Sequence, residues 1–204
     1  MIWALVILAV LFVLVIWTYN SLVKLKVQVE NAWADIEVQL KRRYDLVPNL
    51  VETVKGYAAH ERGVFEKVTE ARTRAMSASG PAAKAQAEGM FTETLKSLFA
   101  VAENYPQLRA VESFADLQKQ LSQIEEQVQL ARRYYNAVVR DLNTRIAQFP
   151  TNLIAGMFNF KALEFFETAE AERGSQGPLR HASQLAKAFV GALREALRHV
   201  PGVL

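Results

Sequence analysis

MIWALVILAVLFVLVIWTY, residues 1–19, contains an unbroken apolar run from Ile2 to Trp17 that carries no charge. A bilayer-spanning helix needs about 20 mostly apolar residues, with roughly 17 as the lower limit, so the run suffices once Thr18 and Tyr19 are counted. Trp3 near one end and Trp17 with Tyr19 at the other stand where interfacial aromatics collect. A cleaved leader would want a basic n-region and a small-residue cleavage site. Here the first basic residue is Lys24 and the flank reads Trp17-Thr18-Tyr19-Asn20. An acylated-cysteine anchor is excluded, because the chain has no cysteine. Residues 1–19 are therefore expected to remain in membrane lipid as a transmembrane helix.

No Lys or Arg precedes the run, whereas Lys24, Lys26 and then Lys41, Arg42 and Arg43 follow it. The positive-inside rule places the short N-terminus outside and the bulk in the cytoplasm, a single-pass arrangement in the cell (inner) membrane. The lack of thiols suits either redox compartment and does not choose between them. Gly 9 and Pro 6 are too sparse for a disordered or loop-rich chain, so one ordinary domain is expected beyond the anchor. The chain holds 24 Lys+Arg against 21 Asp+Glu, and residues 173–204 contribute Arg173, Arg180, Lys187, Arg194 and Arg198 against Glu195 alone. The body is thus near neutral and the basic excess belongs to the tail. With no binding motif present, such a body gains little from counterion release, and no nucleic-acid partner is expected.

After the span, Val29, Trp33, Ile36, Leu40, Tyr44, Val47, Val51, Val54, Ala58, Phe65 and Val68 recur mostly at three- and four-residue intervals. That spacing predicts one long amphipathic helix from Asn20 to Met76, its stripe widened by Val38, Leu46, Leu50 and Tyr57. It would extend roughly 85 Å at about 1.5 Å per residue, with a kink at Pro48, which removes a donor and crowds the carbonyl of Tyr44. Ser77-Ala78-Ser79-Gly80-Pro81 ends it. A second helix, about Ala83 to Glu103, turns Ala87, Met90, Phe91, Leu95, Leu98, Phe99 and Ala102 inward, and Asn104-Tyr105-Pro106 breaks the chain again. In the third, Phe114, Leu117, Leu121, Ile124, Val128, Ala131, Tyr135, Val138, Leu142, Ile146 and Phe149 alternate threes and fours, behind Ser113 as the expected N-cap.

Thr151 to Phe160 reads as an apolar turn over the bundle end, and Lys161 to Glu172 as a short fourth helix bringing in Leu163, Phe165 and Phe166. The fold class is all-α: an N-terminal transmembrane helix continuing into a long-helix antiparallel up-and-down bundle over residues 20–172. The first helix should outreach the third by roughly 30 Å at about 1.5 Å per residue, leaving a membrane-proximal stalk. Its stripe of Leu22, Val29, Trp33 and Ile36 would then want a partner, which makes these residues candidates for self-association. Residues 173–178 read as a linker. Residues 179–204 read as a basic amphipathic helix, with Leu185, Phe189, Leu193 and Leu197 on one face and Lys187, Arg194 and Arg198 on the other. That helix is a candidate contact with an anionic membrane surface or a second copy.

Several ordered motifs together resemble the LemA family. They are Tyr19-Asn20, Leu22-Val23, Ala32-Trp33, the run from Val38 to Ala58 (VQLKRRYDLVPNLVETVKGYA), His60-Glu61, Ala102 to Pro106 (AENYP), Tyr135-Asn136, Phe149-Pro150 and Phe165-Phe166-Glu167. The resemblance covers residues 1 to about 170. It implies a bacterial or archaeal protein with one membrane helix and a helical bundle of bromodomain-like topology, and it hands over no activity. A branch similar to the magnetosome protein MamQ is tied to membrane-organelle formation, and other members are encoded beside membrane proteases. This chain departs from the family pattern at Ile124-Glu125-Glu126, Leu142-Asn143 and Phe158-Asn159-Phe160, where Thr-Glu-Asn, Tyr-Asn and Phe-Gly-Phe are usual.

Little in the chain points to catalysis. Only His60, His181 and His199 could serve as imidazole ligands, and His60-Glu61 fails as a zinc-hydrolase motif because Val64 stands where the second His belongs. Ser21 and Lys24 match a Ser-x-x-Lys pattern, without its companion motifs and beside the bilayer. No glycine-rich phosphate loop occurs. Neither metal, cofactor, small-molecule substrate nor enzyme activity is expected. The densest polar cluster, Gln39, Lys41, Arg42, Arg43, Asp45, Asn49, Glu52, Lys55, His60 and Glu61 around Pro48, reads as a solvated face or as a docking surface for a partner. The leading expectation is a non-enzymatic membrane scaffold that self-associates and presents a helical surface to other membrane proteins. The alternatives are an adaptor for a membrane enzyme such as a protease, and membrane shaping by the C-terminal helix.

Overall fold

A computed structural model describes residues 2–167, the side chain of Arg109 excepted. The linker at 173–178, the C-terminal amphipathic helix with Leu185, Lys187, Phe189, Leu193, Arg194, Leu197 and Arg198, and residues 168–172 of the expected fourth helix lie outside the described residues. Among the described residues every regular element is helical: α1 Ile2–Lys55, α2 Arg62–Ser77, α3 Pro81–Glu103, α4 Pro106–Arg109, α5 Glu112–Ala147 and α6 Thr151–Met157.

The span does not end where the bundle begins, because α1 is one helix from Ile2 through Pro48 to Lys55. The single helix expected up to Met76 is therefore corrected. The chain breaks at 56–61, where the amides of Tyr57 and Ala58 both turn back to the Val54 carbonyl, at 3.0 and 2.9 Å. Gly56 favours the break, having least to gain from staying helical. α2 then folds back along α1 and brings Ala75 and Arg72 to Tyr44. The apolar periodicity had concealed this turn because Ala58 stays in phase and is itself buried, so the stripe reads on from Val54 to Phe65.

α2 pairs with α3 across a turn at 78–80, where Gly80 takes a left-handed φ of 83° and Pro81 starts the next helix. α5 pairs with α1 in the opposite direction, so that Glu125 faces Arg43 and Tyr135 lies 5.5 Å from Trp33, ring to ring. Its N-cap is Val111 and not the expected Ser113, and no side chain caps it. Val38, Tyr57 and Met90, assigned to the core by periodicity, lie largely exposed at the edges of their stripes.

Beyond α5 the chain makes a cis Phe149-Pro150 bond, forms α6, and reverses at Asn159. Asn159 has a φ of 56°, and the Phe160 amide reaches the Ala155 carbonyl at 2.9 Å while the Asn159 amide reaches Gly156 at 3.3 Å. These bonds form a Schellman helix ending, whose left-handed position suits Gly first and Asn next. The Asn that stands where the resemblance leads to an expected Gly therefore keeps the backbone chemistry of this position.

The expected fourth helix is absent over 161–167, which is extended. This strap runs back along the α1–α5 pair, with Phe158 and Phe160 against Tyr19 at one end and Phe166 against Trp33 at the other. Asn143 binds Leu163 in both directions, its amide donating to the Leu163 carbonyl and its oxygen accepting the Leu163 N–H, each at 2.9 Å. Asn136 does the same to Phe166 at 3.1 and 2.8 Å. Two asparagines one heptad apart thus satisfy an isolated extended segment as a neighbouring strand would. The Tyr135 hydroxyl adds a bond to the Glu164 carbonyl at 2.9 Å.

The bare stalk is corrected by the same contacts. Leu22, Val29 and Ile36 are 1, 3 and 0% exposed, and Trp33 is half-buried against Tyr135 and Phe166. α5 and the strap cover the stripe within one chain, so Leu22, Val29 and Ile36 are core and Trp33 packs against it.

Candidate functional site

Arg43 decides the chemistry of the interior. It sits one residue before Tyr44 on the α1 stripe, three after Leu40 and four before Val47, and it is only 1% exposed. Its guanidinium meets Glu88 of α3 at 2.7 Å, the Thr92 hydroxyl at 2.9 Å and Glu125 of α5 at 2.5 Å. The Phe91 ring lies 4.9 Å from the guanidinium carbon, an arrangement that suits a weakly hydrated planar cation. Arg43 therefore leaves the exposed docking cluster to which its sequence neighbours had assigned it. Charges from three helices thus meet in one network whose centre, Arg43 with Glu88, is buried.

The remaining oxygen of Glu88 accepts a short hydrogen bond from the Tyr44 hydroxyl. Burial pushes the Tyr44 hydroxyl far above its usual range, and the bond to Glu88 adds to the effect. Burial likewise raises Glu125, with Glu88 reinforcing the shift and Arg43 and Arg132 opposing it. Arg132 is lowered by burial, and its guanidinium lies over the Phe166 ring at 4.9 Å, which connects the network to the strap. Lys84 is buried nearby, its ammonium 5.6 Å from the Tyr44 ring centre. A groove of about 380 Å³ opens between α3 and α5, floored by Arg43 and Glu125 and walled by Leu95, Phe99 and Leu121.

Such a network is a device of registry more than of net stability. Desolvating the ions costs about as much as their attraction returns, whereas removing one partner strands the others. Glu88 falls three residues before Phe91, and Glu125 four after Leu121 and three before Val128, so each stands in an apolar register of its helix. Charges at core registers of α1, α3 and α5 were the available signal, and only their pairing across helices was hidden.

The other cluster residues divide by exposure. Lys41, Arg42, Asp45, Pro48, Asn49, Glu52, Lys55 and His60 are exposed, while Gln39 and Glu61 are half-buried. From Lys41 to Lys55 they form one polar ridge on the outer side of α1. Ser21 is half-buried and Lys24 exposed, one turn apart on α1. Among the described residues no three His, Asp or Glu side chains gather to hold a metal ion.

The fold and its interior define an all-α membrane-associated protein in which one helix among the described residues, α1, is long and apolar enough at its N-terminal end to cross a membrane and continues into the bundle core. The chain belongs to the LemA family, whose model matches residues 32–178. It is similar to magnetosome proteins MamQ 1 and MamQ 2 of Paramagnetospirillum magneticum, 27% identical to each over 179 residues, covering 75% of this chain and 66% of theirs. It is also similar to protein LemA of Metamycoplasma hominis, 23% identical over 155 residues, covering 76% of this chain and 71% of that one. The matched region thus spans just under two thirds of the MamQ proteins, at 66%.

Proposed function

We propose that this protein is a non-enzymatic membrane scaffold that presents the outer ridge of α1 to other membrane proteins. The observation that carries the reading is a division of labour among the charges. Arg43, Glu88 and Glu125 are consumed in binding one another inside the bundle. Lys41, Arg42, Asp45, Asn49, Glu52 and Lys55 stand exposed on a helix that continues into the span. The alternating helix directions support an up-and-down, bromodomain-like arrangement. Lys24, Lys26 and the basic residues of the ridge support a short N-terminus outside and a cytoplasmic bundle. The magnetosome naming of two relatives supports a role in organising a membrane. Assembly of several copies belongs to this reading only through surfaces other than Leu22, Val29, Trp33 and Ile36.

Crosslinking in the membrane, followed by identification of captured proteins, tests the reading. Charge reversal at Lys41 and Arg42 together should deplete the captured set, and an unchanged set would refute the ridge as the docking surface. Capture of one membrane enzyme alone would make the protein an adaptor instead. Orientation is checked separately with single cysteines, which have no background in this chain. A cysteine at Ile2 should react with an impermeant maleimide in intact cells, and one at Lys55 only after permeabilisation.

A further inference from the structure

Among the described residues nothing covers one apolar face of α6. Phe149 is 80% exposed, Leu153 62%, Met157 73% and Phe158 47%, whereas Ile154 and Ala155 are buried. Leu153 and Met157 are four residues apart and share one side of α6, and Phe149 stands exposed at the corner that leads into it. Large apolar side chains grouped in this way mark an interaction surface, where isolated ones would need no explanation.

The position of the face says what covers it. Tyr19 closes the apolar run of α1, and its ring lies 4.8 Å from that of Phe158 and 5.8 Å from that of Phe160. Every described residue of α1 before Thr18 is exposed or half-exposed, and Thr18 is the first buried one. The α6 face therefore adjoins the level at which the span leaves lipid and is continuous with the span's own apolar surface. Lys24, Arg145 and Lys161, all exposed, lie within a few residues of this level in sequence. Apolar contact below and basic charge above is the combination that interfacial elements use on anionic membranes. A second protein copy is a poor occupant, because seven helical residues span only about 10 Å and a stable interface wants roughly 800 Å² per partner.

We propose that α6 and the Phe149 corner form a second, monotopic membrane contact, seated in the bilayer interface beside α1. Residues 149–158 then rest on lipid, and the bundle stands directly on the membrane. This proposal depends on the span lying in lipid but not on the ridge binding a partner.

The test uses the full chain in bilayer nanodiscs of phosphatidylcholine and phosphatidylglycerol, with a polarity-sensitive fluorophore on one introduced cysteine at a time. Met157→Cys reports on the α6 face, Trp17→Cys on the span, and Ala59→Cys on the exposed turn at the far end of the bundle. All three positions are exposed, so labelling does not disturb the core. Quenching of the Met157 label by lipid-borne nitroxide, approaching that at Trp17 and absent at Ala59, is the expected result. Quenching at Trp17 alone, with the Met157 label open to aqueous iodide, would overturn the α6 contact while leaving the span in place. Shielding of the Met157 label from both quenchers would mean that protein covers the face, and would overturn it too. Loss of lipid quenching at both positions would remove the span and the contact together.

Discussion

Arg72 donates its Nε hydrogen to the carbonyl of Tyr44 at 2.7 Å, and that carbonyl is the one that Pro48 deprives of its helical donor. A proline inside α1 is thus tolerated because α2, folded back alongside, supplies the missing hydrogen bond. Arg72→Ala should cost about 1–3 kcal/mol, the penalty of an unsatisfied buried acceptor. In a Pro48→Ala background, where an amide returns to that position, the same change should cost clearly less. A double-mutant cycle by denaturant unfolding of the detergent-solubilised chain measures the difference, and equal costs in both backgrounds would disprove the coupling.

Arg43 and Arg42 are neighbours in sequence with opposite fates. Arg43→Met should destabilise the fold by about 3–5 kcal/mol, because Glu88 stays buried without its cation, while Glu125, a third exposed, keeps part of its hydration. Arg42→Ala, on the exposed ridge, should stay within about 0.5 kcal/mol of the parent. Comparable unfolding midpoints for the two variants would remove the buried network from the account.

The pH dependence follows from Glu125, whose carboxyl is raised above its ordinary 4.5 because burial outweighs the attraction of Arg43 and Arg132. The folded chain then holds a proton that the unfolded chain releases, so the stability contributed by this group falls as pH rises from 4.5 through the folded value. Unfolding free energies measured across that window should decline less steeply in Glu125→Gln than in the parent. Parallel slopes would mean that Glu125 titrates as an ordinary carboxylate.

Asn143 and Asn136 hold the strap at two points. Asn143→Ala should cost about 1–3 kcal/mol, because it leaves the Leu163 N–H and carbonyl without partners. Limited proteolysis should then cut between Phe160 and Phe166 faster than in the parent, with α1 and α5 still protected. An unaltered cleavage pattern would show that the aromatic contacts of Phe166 and Phe160 hold the strap by themselves.

What the sequence discloses here depends on whether a feature is periodic. The span was legible as an unbroken apolar run, and α3 and α5 because their apolar residues repeat at helical spacing over many turns, the structure departing from these two by only a few residues at the ends. The turn at 56–61 was not, because Ala58 keeps the stripe in phase while the chain reverses. The strap was not either, because Leu163, Phe165 and Phe166 suit a short helix as well as an extended segment, and the deciding partners, Asn136 and Asn143, lie on a different element. The exposed ridge from Lys41 to Lys55 could be read directly. Arg43 could not, since its burial depends on Glu88 and Glu125 arriving from α3 and α5. Arg72 and Thr92 carried no signal at all, one serving an orphaned carbonyl and the other a guanidinium.

Because α1 is unbroken from Ile2 to Lys55, the protein has no swivel between what lies in lipid and what lies above it. The azimuth at which Lys41 to Lys55 project around the membrane normal is dictated by how the span is rotated in the bilayer. Two such molecules, or one molecule and a neighbour that grips its span, would meet at a bearing already chosen inside the membrane.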